Sequence, residues 1–377
     1  MNNIISRFKN QRVSQLIHLK NRRPGEPLHR VCNCYRLKAK RSHQVSLRKK
    51  DGAARAHYGD TQTCGSVWDC QVCSSIITES RSQDTQVAID IWRSMHPDNC
   101  VIMISFTTPH YAFQPLQDVL TIQDKAIRIM KKQPQKGSYK VYRTIIQEIE
   151  SIGNYTGREV TWGMLNGWHP HRHVLYFCKR QNIAQLRRLQ FDTINAFAVA
   201  FLKAGGEIRN MNHFRQRAVK VDQITDNNGY QRISRYITSV EGDTWTLAKE
   251  ATKGIVKTAK NGNITPFGML EAIRQGDKHS GLYSVKFYEY SKTMKGKKQF
   301  FPSPGLSDHL GIKHKTDQDI MEERKTGNHY SFLTDPEWDL INKMDIRGEI
   351  LTLTEGNEFE FMTKLDEFLK PYKKECA

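Results

Sequence analysis

The sequence is short of acidic residues and has no long hydrophobic run. Its 377 residues include 39 Asp and Glu against 58 Lys and Arg, which gives a formal net charge of +19. No stretch of about eighteen apolar residues occurs, so we expect no transmembrane helix. The segment from Met1 to Lys20 also lacks an apolar core followed by a small-residue cleavage site, which argues against secretion.

The excess of basic residues is spread along the whole chain and is not confined to one tail. Such a balance favours a polyanionic partner. Nucleic acid is the first candidate, although ribosome-associated proteins and proteins of anionic membranes share this balance. The length is sufficient for a full hydrophobic core and for more than one domain. Composition therefore favours a nucleic-acid-binding protein but does not identify the kind of nucleic acid.

The eight cysteines occur in a chain without an export signal, which favours metal ligands or free thiols over disulfides. Cys70 and Cys73 form a CxxC knuckle, and thiolates at that spacing can clasp one side of a tetrahedral zinc ion. Cys64, together with Cys34 or Cys32, would complete a structural four-cysteine site. A redox pair is the alternative, and the lack of a thioredoxin-like strand before the knuckle argues against it.

Three histidines stand at alternate positions, at the start of an apolar and aromatic stretch that ends near Phe177. In an extended chain, side chains two residues apart project to the same face, so His171 and His173 would point together at one divalent ion. Pro170 lacks an amide donor and suits a strand start. We therefore expect the strand to begin near His171 and to leave His169 in the loop before it.

Two imidazoles leave a divalent ion short of protein ligands, and a carboxylate from a neighbouring strand would complete the site. Glu159 and Glu148 are the two candidates. The stretch from Tyr139 to Ile152 alternates well enough to predict a strand, and a second strand begins at Glu159. The segment from Gln231 to Val240 has its apolar residues at helical spacing and predicts a helix.

Several of these segments resemble one known family. Glu159-Val160-Thr161-Trp162-Gly163, followed by Asn166-Gly167-Trp168-His169-Pro170-His171, is similar to the metal-binding motif of plasmid and phage rolling-circle replication initiators. These proteins are the Rep branch of the HUH endonucleases. The segments Thr63 to Cys73 and Val101 to His110 also resemble Rep motifs, as do later segments up to Leu306. The resemblance covers roughly residues 30 to 310 in a consistent order.

The resemblance implies roles for individual residues. Tyr236 is similar to the catalytic tyrosine of the family, and Tyr230 is the alternative nucleophile. Glu159 is preferred to Glu148 as the carboxylate ligand, and Cys34 is preferred to Cys32 as the fourth cysteine. Relaxases of the same superfamily use three metal histidines, so His169 is an alternative ligand.

The chain departs from the family pattern at three positions. The residue between the paired histidines is hydrophobic in the family and is Arg172 here. Ser239 stands at the position of a family lysine, and Arg232 stands where some members carry a glutamate for termination. The lysine's role would then pass to Arg235 or Arg232, and a glutamate-dependent termination step is not supported. The expected DNA contacts are Arg172, Arg232, Arg235, Lys249 and Lys260.

The implied fold is α+β, a central antiparallel sheet with flanking helices and with the histidine strand in its middle. We expect a flexible basic arm over residues 1–30 and a zinc-binding module with a linking helix over 31–95. The HUH nuclease domain with a DNA-binding extension would cover 96–310, and a small helical tail 311–377.

The implied function is rolling-circle replication initiation in the bacterial cytoplasm. A metal-dependent nuclease with Mg²⁺ or Mn²⁺, and with structural Zn²⁺, would nick single-stranded or hairpin origin DNA and form a 5′-phosphotyrosine link. The released 3′ hydroxyl would prime synthesis with a host helicase and polymerase, without membrane involvement. A transposase or mobilisation relaxase of the same superfamily is the first alternative. A non-catalytic, zinc-containing DNA-binding regulator is the second.

Overall fold

A computed structural model describes residues 3–40, 42–132, 142–239, 258–259 and 263–375 of the protein. The helices are α1 (Asn3–Lys20), α2 (Arg30–Asn33), α3 (Gln71–Met95), α4 (Leu116–Lys132), α5 (Tyr142–Glu148), α6 (Ile183–Lys203), α7 (Met211–Arg217), α8 (Asn227–Thr238), α9 (Pro266–Arg274), α10 (Ser280–Met294), α11 (Leu306–Leu310), α12 (Asp317–Lys325), α13 (Asp335–Lys343), α14 (Arg347–Leu353) and α15 (Glu358–Glu375). The strands are β1 (Val45–Lys49), β2 (His57–Tyr58), β3 (Asn99–Thr107), β4 (Gly153–Gly163), β5 (Gly167–Lys179), β6 (Val219–Ile224), β7 (Thr258–Ala259), β8 (Asn263–Ile264), β9 (Phe300–Pro302) and β10 (Asn328–Leu333).

The larger sheet is antiparallel and has the strand order β6-β3-β5-β4-β8-β7, with β9 paired to β4. Helices cover both of its faces, which confirms the predicted antiparallel sheet with flanking helices. The histidine strand β5 lies between β3 and β4, as expected. None of the helices in the described ranges combines the length and apolarity needed to cross a membrane.

Alternation along β3 and β5 divides the sheet into two faces. Ile102, Ile104, Val174 and Tyr176 pack with residues of α4, α5 and α6 on one face. Val101, Met103, Leu175 and Phe177 pack with residues of α3 and α8 on the other. Because side chains two apart share a face, His171 and His173 lie on the α3 and α8 side. Arg172 lies on the α4 side.

Strand β5 begins earlier than predicted, so His169 and Pro170 lie inside the strand and not in a preceding loop. The last residue of β3, Thr107, pairs with His171. Beyond that pair, the amide of Thr108 lies 3.5 Å from the carbonyl oxygen of Pro170. The amide and carbonyl of one residue in an antiparallel strand point to the same side. The missing donor of Pro170 therefore faces the place where β3 has ended, where a proline is tolerated.

The predicted strand over 139–152 is wrong where the structure describes it, because Tyr142–Glu148 form a helix. Tyr142, Ile145 and Ile149 are buried, and their spacing of three and four residues is that of one helical face. The chain turns at Glu150, whose φ is +51°, and β4 begins at Gly153, before the predicted start at Glu159. Burial of one helical face against α6 therefore determines the conformation of this segment, although its sequence alternates like a strand.

The expectation of a flexible amino-terminal arm is also wrong, because Asn3–Lys20 form helix α1. Its buried face is largely polar, which made the segment look solvent-exposed from sequence. Gln11 Nε2 donates to Cys70 Sγ at 3.1 Å, Ser14 Oγ donates to the Asp69 carbonyl at 2.7 Å, and Gln15 Nε2 donates to the Val31 carbonyl at 3.0 Å. The helix is therefore held against the cysteine segment by hydrogen bonds.

Residues 311–377 do not form the separate helical tail that was predicted. Strand β10 pairs with β1, so the carboxy-terminal region and the cysteine-containing region share the sheet β10-β1-β2. Arg347, which is fully buried, donates to the carbonyl oxygens of Cys34 at 3.4 Å and Tyr35 at 3.1 Å. The expected helices are present as α13, α14 and α15, but they complete the amino-terminal module.

Candidate functional site

The paired histidines lie side by side on the α8 face of the sheet. The ring centroids of His171 and His173 are 5.8 Å apart, with an interplanar angle of 19°. Nδ1 of His173 lies 2.9 Å from Ser105 Oγ, and Nδ1 of His171 lies 3.1 Å from Thr107 Oγ1. These hydroxyls come from the residues directly opposite in β3. They engage both Nδ1 atoms and leave Nε2 as the ligand nitrogen of each ring.

Glu159 approaches the pair from the neighbouring strand, where it lies directly opposite His171. Its Oε2 is 3.0 Å from Nε2 of His173. Burial acts to raise the pKa of Glu159, but the hydrogen bond from His173 and the adjacent imidazoles outweigh it and lower the pKa to about 2. The carboxylate is therefore ionised at neutral pH and is suited to a cation.

Tyr236 completes the cluster from helix α8. Its hydroxyl lies 3.2 Å from Nε2 of His173 and donates toward Oε2 of Glu159 at 3.4 Å. The two rings of Tyr236 and His173 are in edge contact, with centroids 4.8 Å apart. Burial, with the charge of Glu159, raises the pKa of Tyr236, so the phenol is protonated at neutral pH. The predicted nucleophile thus lies against the predicted metal ligands.

The two alternatives considered from sequence lie elsewhere. Tyr230 packs into the core between α8 and α3, with the guanidinium of Arg93 4.1 Å from its ring centroid. Glu148 is exposed at the end of α5, whose buried residues pack on the opposite face of the sheet. The structure therefore brings Tyr236 and Glu159 to the histidines, and not Tyr230 or Glu148.

His169 extends the row of imidazoles and contacts His110 in the loop after β3. Nδ1 of His169 lies 3.2 Å from Nε2 of His110, and its ring centroid is 4.3 Å from that of His171. Burial, followed by the effect of His171, lowers the pKa of His169 to about 2, so this ring is neutral. His169 therefore lies next to the paired histidines. Its described hydrogen bond is to His110, and not to Glu159 or Tyr236.

Arg172 does not present its side chain for DNA contact, contrary to the prediction. It is 5% exposed and forms an ion pair with Asp124 of α4 on the opposite face of the sheet. Arg158 of β4 shares the same carboxylate at 2.8 Å. Burial and the repulsion from Arg158 lower the pKa of Arg172 to about 10. The back of the histidine strand is therefore covered by an ion-pair network in place of a hydrophobic residue.

The remaining predicted DNA contacts are of two kinds. Arg232 and Arg235 are exposed on the helix that carries Tyr236, which suits contact with a nucleic acid. Lys249 and Lys260 lie outside the described residues. Ser239, which the resemblance places at a lysine position, is the carboxy-terminal cap of the same helix.

Four cysteines form a second cluster. The Sγ atom of Cys34 lies 3.5 Å from that of Cys73 and 3.8 Å from that of Cys70, and the Sγ atoms of Cys64 and Cys73 are 3.7 Å apart. All four residues are buried, and their sulfurs lie within 4.8 Å of one another. Cys32 points away and lies 3.8 Å from the carbonyl oxygen of Gln15. The structure therefore groups Cys34, and not Cys32, with the other three.

The two candidate metal centres differ in how tightly they are assembled. Within the described ranges, His171, His173 and Glu159 do not bring three ligand atoms within 4.8 Å of one another, whereas the four cysteines do. The nitrogen of His173 that would bind an ion is paired with Glu159. The donor types suit a divalent ion, and a rotation of side chains would be needed to gather them.

Comparison with known proteins gives one relative. The chain is similar to a curated protein named "Protein rep" from Streptomyces lividans, with 22% identity over 293 residues. The similar region covers 66% of this chain and 64% of that protein, so the chain spans less than two thirds of the relative's length. No family model matches the sequence, and no solved structure matches the fold. The similarity supports a Rep-like protein.

The positioning roles of three residues were not predicted from sequence. Ser105 and Thr107 alternate in β3 as the histidines do in β5, and this shared alternation was the available signal. The third residue is Gly157 of β4. A Cβ atom there would lie 2.4 Å from the carbonyl oxygen of Ile237. The absence of a side chain at Gly157 allows α8 to approach the sheet and brings Tyr236, the neighbour of Ile237, to the histidines.

Proposed function

We propose that this protein initiates rolling-circle replication by nicking one strand of its origin DNA, with Tyr236 as the nucleophile. The observation that carries the proposal is the position of the Tyr236 hydroxyl, 3.2 Å from Nε2 of His173 and 3.4 Å from Glu159. The similarity to a protein named "Protein rep" supports a role in replication. A DNA-binding regulator without catalysis would have no use for this arrangement.

The proposed reaction is a transfer of one phosphodiester bond. The phenolic oxygen of Tyr236 bonds to the scissile phosphorus, and the bond from phosphorus to the 3′ oxygen breaks. The phenol gives its proton to water, and the 3′ oxygen takes one from water. The products are a 5′-phosphotyrosine link and a free 3′ hydroxyl, so the energy of the phosphodiester bond is retained and the step is reversible. A host polymerase would extend the 3′ hydroxyl behind a helicase.

The donor set of His171, His173 and Glu159 suits Mg²⁺ or Mn²⁺. An ion of this kind, when bound, polarises the scissile phosphate and lowers the demand on a weak nucleophile. Ser105 and Thr107 hold both imidazoles by Nδ1 and so fix the direction of Nε2. Glu159 is kept ionised beside them, which favours a cation between the three side chains.

The four cysteines suit a structural Zn²⁺ site, because buried thiolates at these separations match a closed tetrahedral set. Backbone amides support the sulfurs as well. The amide of Cys64 lies 3.3 Å from Cys34 Sγ, and the amide of Cys73 lies 3.4 Å from Cys70 Sγ. Zinc there would join the segment around Cys34 to Cys64 and to the CxxC knuckle.

The proposed DNA partner is a single-stranded or hairpin origin. The net charge of +19 supplies a general attraction to phosphates. Arg232 and Arg235 are exposed on α8, on the helix that carries the nucleophile. A strand held by these side chains would pass within reach of Tyr236.

Tyr236→Phe should abolish covalent attachment to a labelled single-stranded origin oligonucleotide, because the variant lacks the attacking oxygen. Binding of the oligonucleotide should change little, since the ring is retained. The measurement is the shifted protein–DNA band on a denaturing gel in the presence of Mn²⁺.

Tyr230→Phe is the matched control, because its hydroxyl is in the core between α8 and α3. This variant should form the covalent product at the normal rate. Continued attachment by the Tyr236 variant, or its loss in the Tyr230 variant alone, would refute the assignment of the nucleophile.

A further inference from the structure

We propose that His18, His29 and Asp69 form an additional metal site, for a borderline divalent ion such as Zn²⁺. Their ligand atoms all lie within 4.8 Å of one another. The group is distinct from the cysteine cluster and from the paired histidines, and it has no part in the proposed nicking reaction. Nothing in the spacing of these residues along the sequence suggests that they meet.

The separations match one shared ion. Nε2 of His18 lies 3.8 Å from Oδ1 of Asp69, and Nε2 of His29 lies 3.8 Å from Oδ2. Two atoms that each bind an ion at about 2.1 Å can be at most about 4.2 Å apart, so both separations are compatible with coordination. The imidazole rings are parallel, with centroids 3.9 Å apart and an angle of 5°, and both present Nε2 to the carboxylate.

Asp69 provides the independent reason to expect a cation. It is 7% exposed, and among the described residues no donor makes a hydrogen bond to its buried Oδ1 atom. Oδ2 accepts a hydrogen bond from Ser66 Oγ at 2.6 Å. Across the described part of the chain, the basic groups within ion-pair distance of Asp69 are the two histidines, with no Lys or Arg. A buried carboxylate requires compensation, and an ion shared with two imidazoles provides it.

The site joins three segments that are distant in sequence. His18 lies near the end of α1, His29 caps the start of α2, and Asp69 directly precedes the first cysteine of the CxxC knuckle. An ion bound here would fasten α1 and the chain that follows it to the knuckle. Its expected effect is therefore on the stability of the amino-terminal module.

The ion would retain an open coordination position. The side chain of His29 is 30% exposed, and all three residues line a cleft of about 1290 Å³. Lys292, Lys295 and Lys298 line the same cleft and are suited to anions. Three protein ligands with a free position on the solvent side are typical of zinc sites that also accept water or an anion.

The test is the metal content of the purified full-length chain. The chain carries His171→Ala and His173→Ala, so that the candidate active site does not contribute. After loading with Zn²⁺ and gel filtration in chelator-treated buffer, this protein should hold about two zinc ions by mass spectrometry. Adding His29→Ala should lower the content to about one, because the cysteine cluster keeps its own ion.

His314→Ala is the matched control, because His314 lines the same cleft outside the proposed group. It should retain about two ions. Loading with Co²⁺ separates the two sites, since the thiolate-to-cobalt absorption should be unchanged in the His29 variant while total cobalt falls. Circular dichroism checks that the variants are folded, and the partly exposed His29 is chosen because its loss is the least disruptive. Zinc or cobalt content that does not fall after the His29 substitution would overturn the proposal, whatever the content of the cysteine cluster.

Discussion

At the scale of single residues, the position between the paired histidines is occupied by a buried arginine, Arg172. Arg172 and Arg158 lie opposite each other in β5 and β4 and share the carboxylate of Asp124. Lys297 lies 3.8 Å from the same carboxylate. One carboxylate therefore compensates two guanidinium groups that are largely buried behind the candidate active site. The strand that carries His171 and His173 depends on an acid in helix α4.

Asp124→Asn should destabilise the protein by about 3 kcal/mol, because it leaves two arginines without a counter-charge. Arg172→Met should cost far less, within about 1 kcal/mol, since an apolar side chain of similar size can replace a buried charge and Arg158 keeps its partner. Urea unfolding gives both values.

The double variant Asp124→Asn with Arg172→Met provides the control for this network. It should be more stable than Asp124→Asn alone, because one of the two unpaired guanidinium groups is removed. Equal stability of Asp124→Asn and the wild-type protein would show that the network does not contribute to the free energy of unfolding.

At the scale of secondary-structure elements, the geometry of the candidate site depends on how closely α8 approaches β4. The contact is made possible at Gly157, where a Cβ atom would lie 2.4 Å from the carbonyl oxygen of Ile237. Real Cβ atoms do not tolerate that distance to backbone, so any side chain must displace the helix. Tyr236 is adjacent to Ile237 and would move with it.

Gly157→Ala should therefore lower the rate of covalent attachment to DNA by about a hundredfold, the effect expected when a reacting group is displaced by roughly 1 Å. The measurement is the rate of product formation at saturating Mn²⁺ and oligonucleotide. Gly281→Ala in α10 is the matched control, because among the described residues no atom beyond the neighbouring backbone of its own helix lies within 4 Å of the added methyl group. Attachment at the normal rate in the Gly157 variant would mean that α8 is not held by this contact.

At the scale of the whole molecule, the two ends of the described chain form one module. Strand β10 pairs with β1, and Arg347 reaches the carbonyl oxygens next to Cys34. The buried residues of α1, the cysteine segment and α13 to α15 belong to one hydrophobic cluster. The same cluster includes Val160, Trp162 and Trp168 of the larger sheet, so the two ends of the described chain pack together and against one edge of that sheet.

Deleting residues 311–377 should release metal from the cysteine cluster and lower the temperature of unfolding, because β1 loses β10, one of its two partner strands, and the buried face of α1 loses α14. The measurements are zinc content and a thermal melt. Arg347→Ala tests the same link at one residue and should weaken zinc retention in the same direction. A truncated chain that keeps its zinc and its melting temperature would show that the carboxy-terminal region folds independently.

Sequence alone was sufficient where the pattern is local. Alternation placed His171 and His173 on one face of a strand, and the spacing of Cys70 and Cys73 marked the knuckle. The helix that carries Tyr236 was also predicted from the spacing of Ile233 and Ile237, although its partners in space were not. In each case the information lies within a few residues of the chain, where the geometry of a strand or helix fixes directions.

Tertiary structure decided what depends on pairing between distant segments. The polar face of α1 looked solvent-exposed until the cysteine segment that it binds was placed beside it. The helix Tyr142–Glu148 was mistaken for a strand because burial against α6, and not the local alternation, selects its conformation. The pairing of β10 with β1 could not be predicted from sequence for the same reason, and neither could the approach of His18 to Asp69. Packing across the fold, which no short-range periodicity records, determines these contacts.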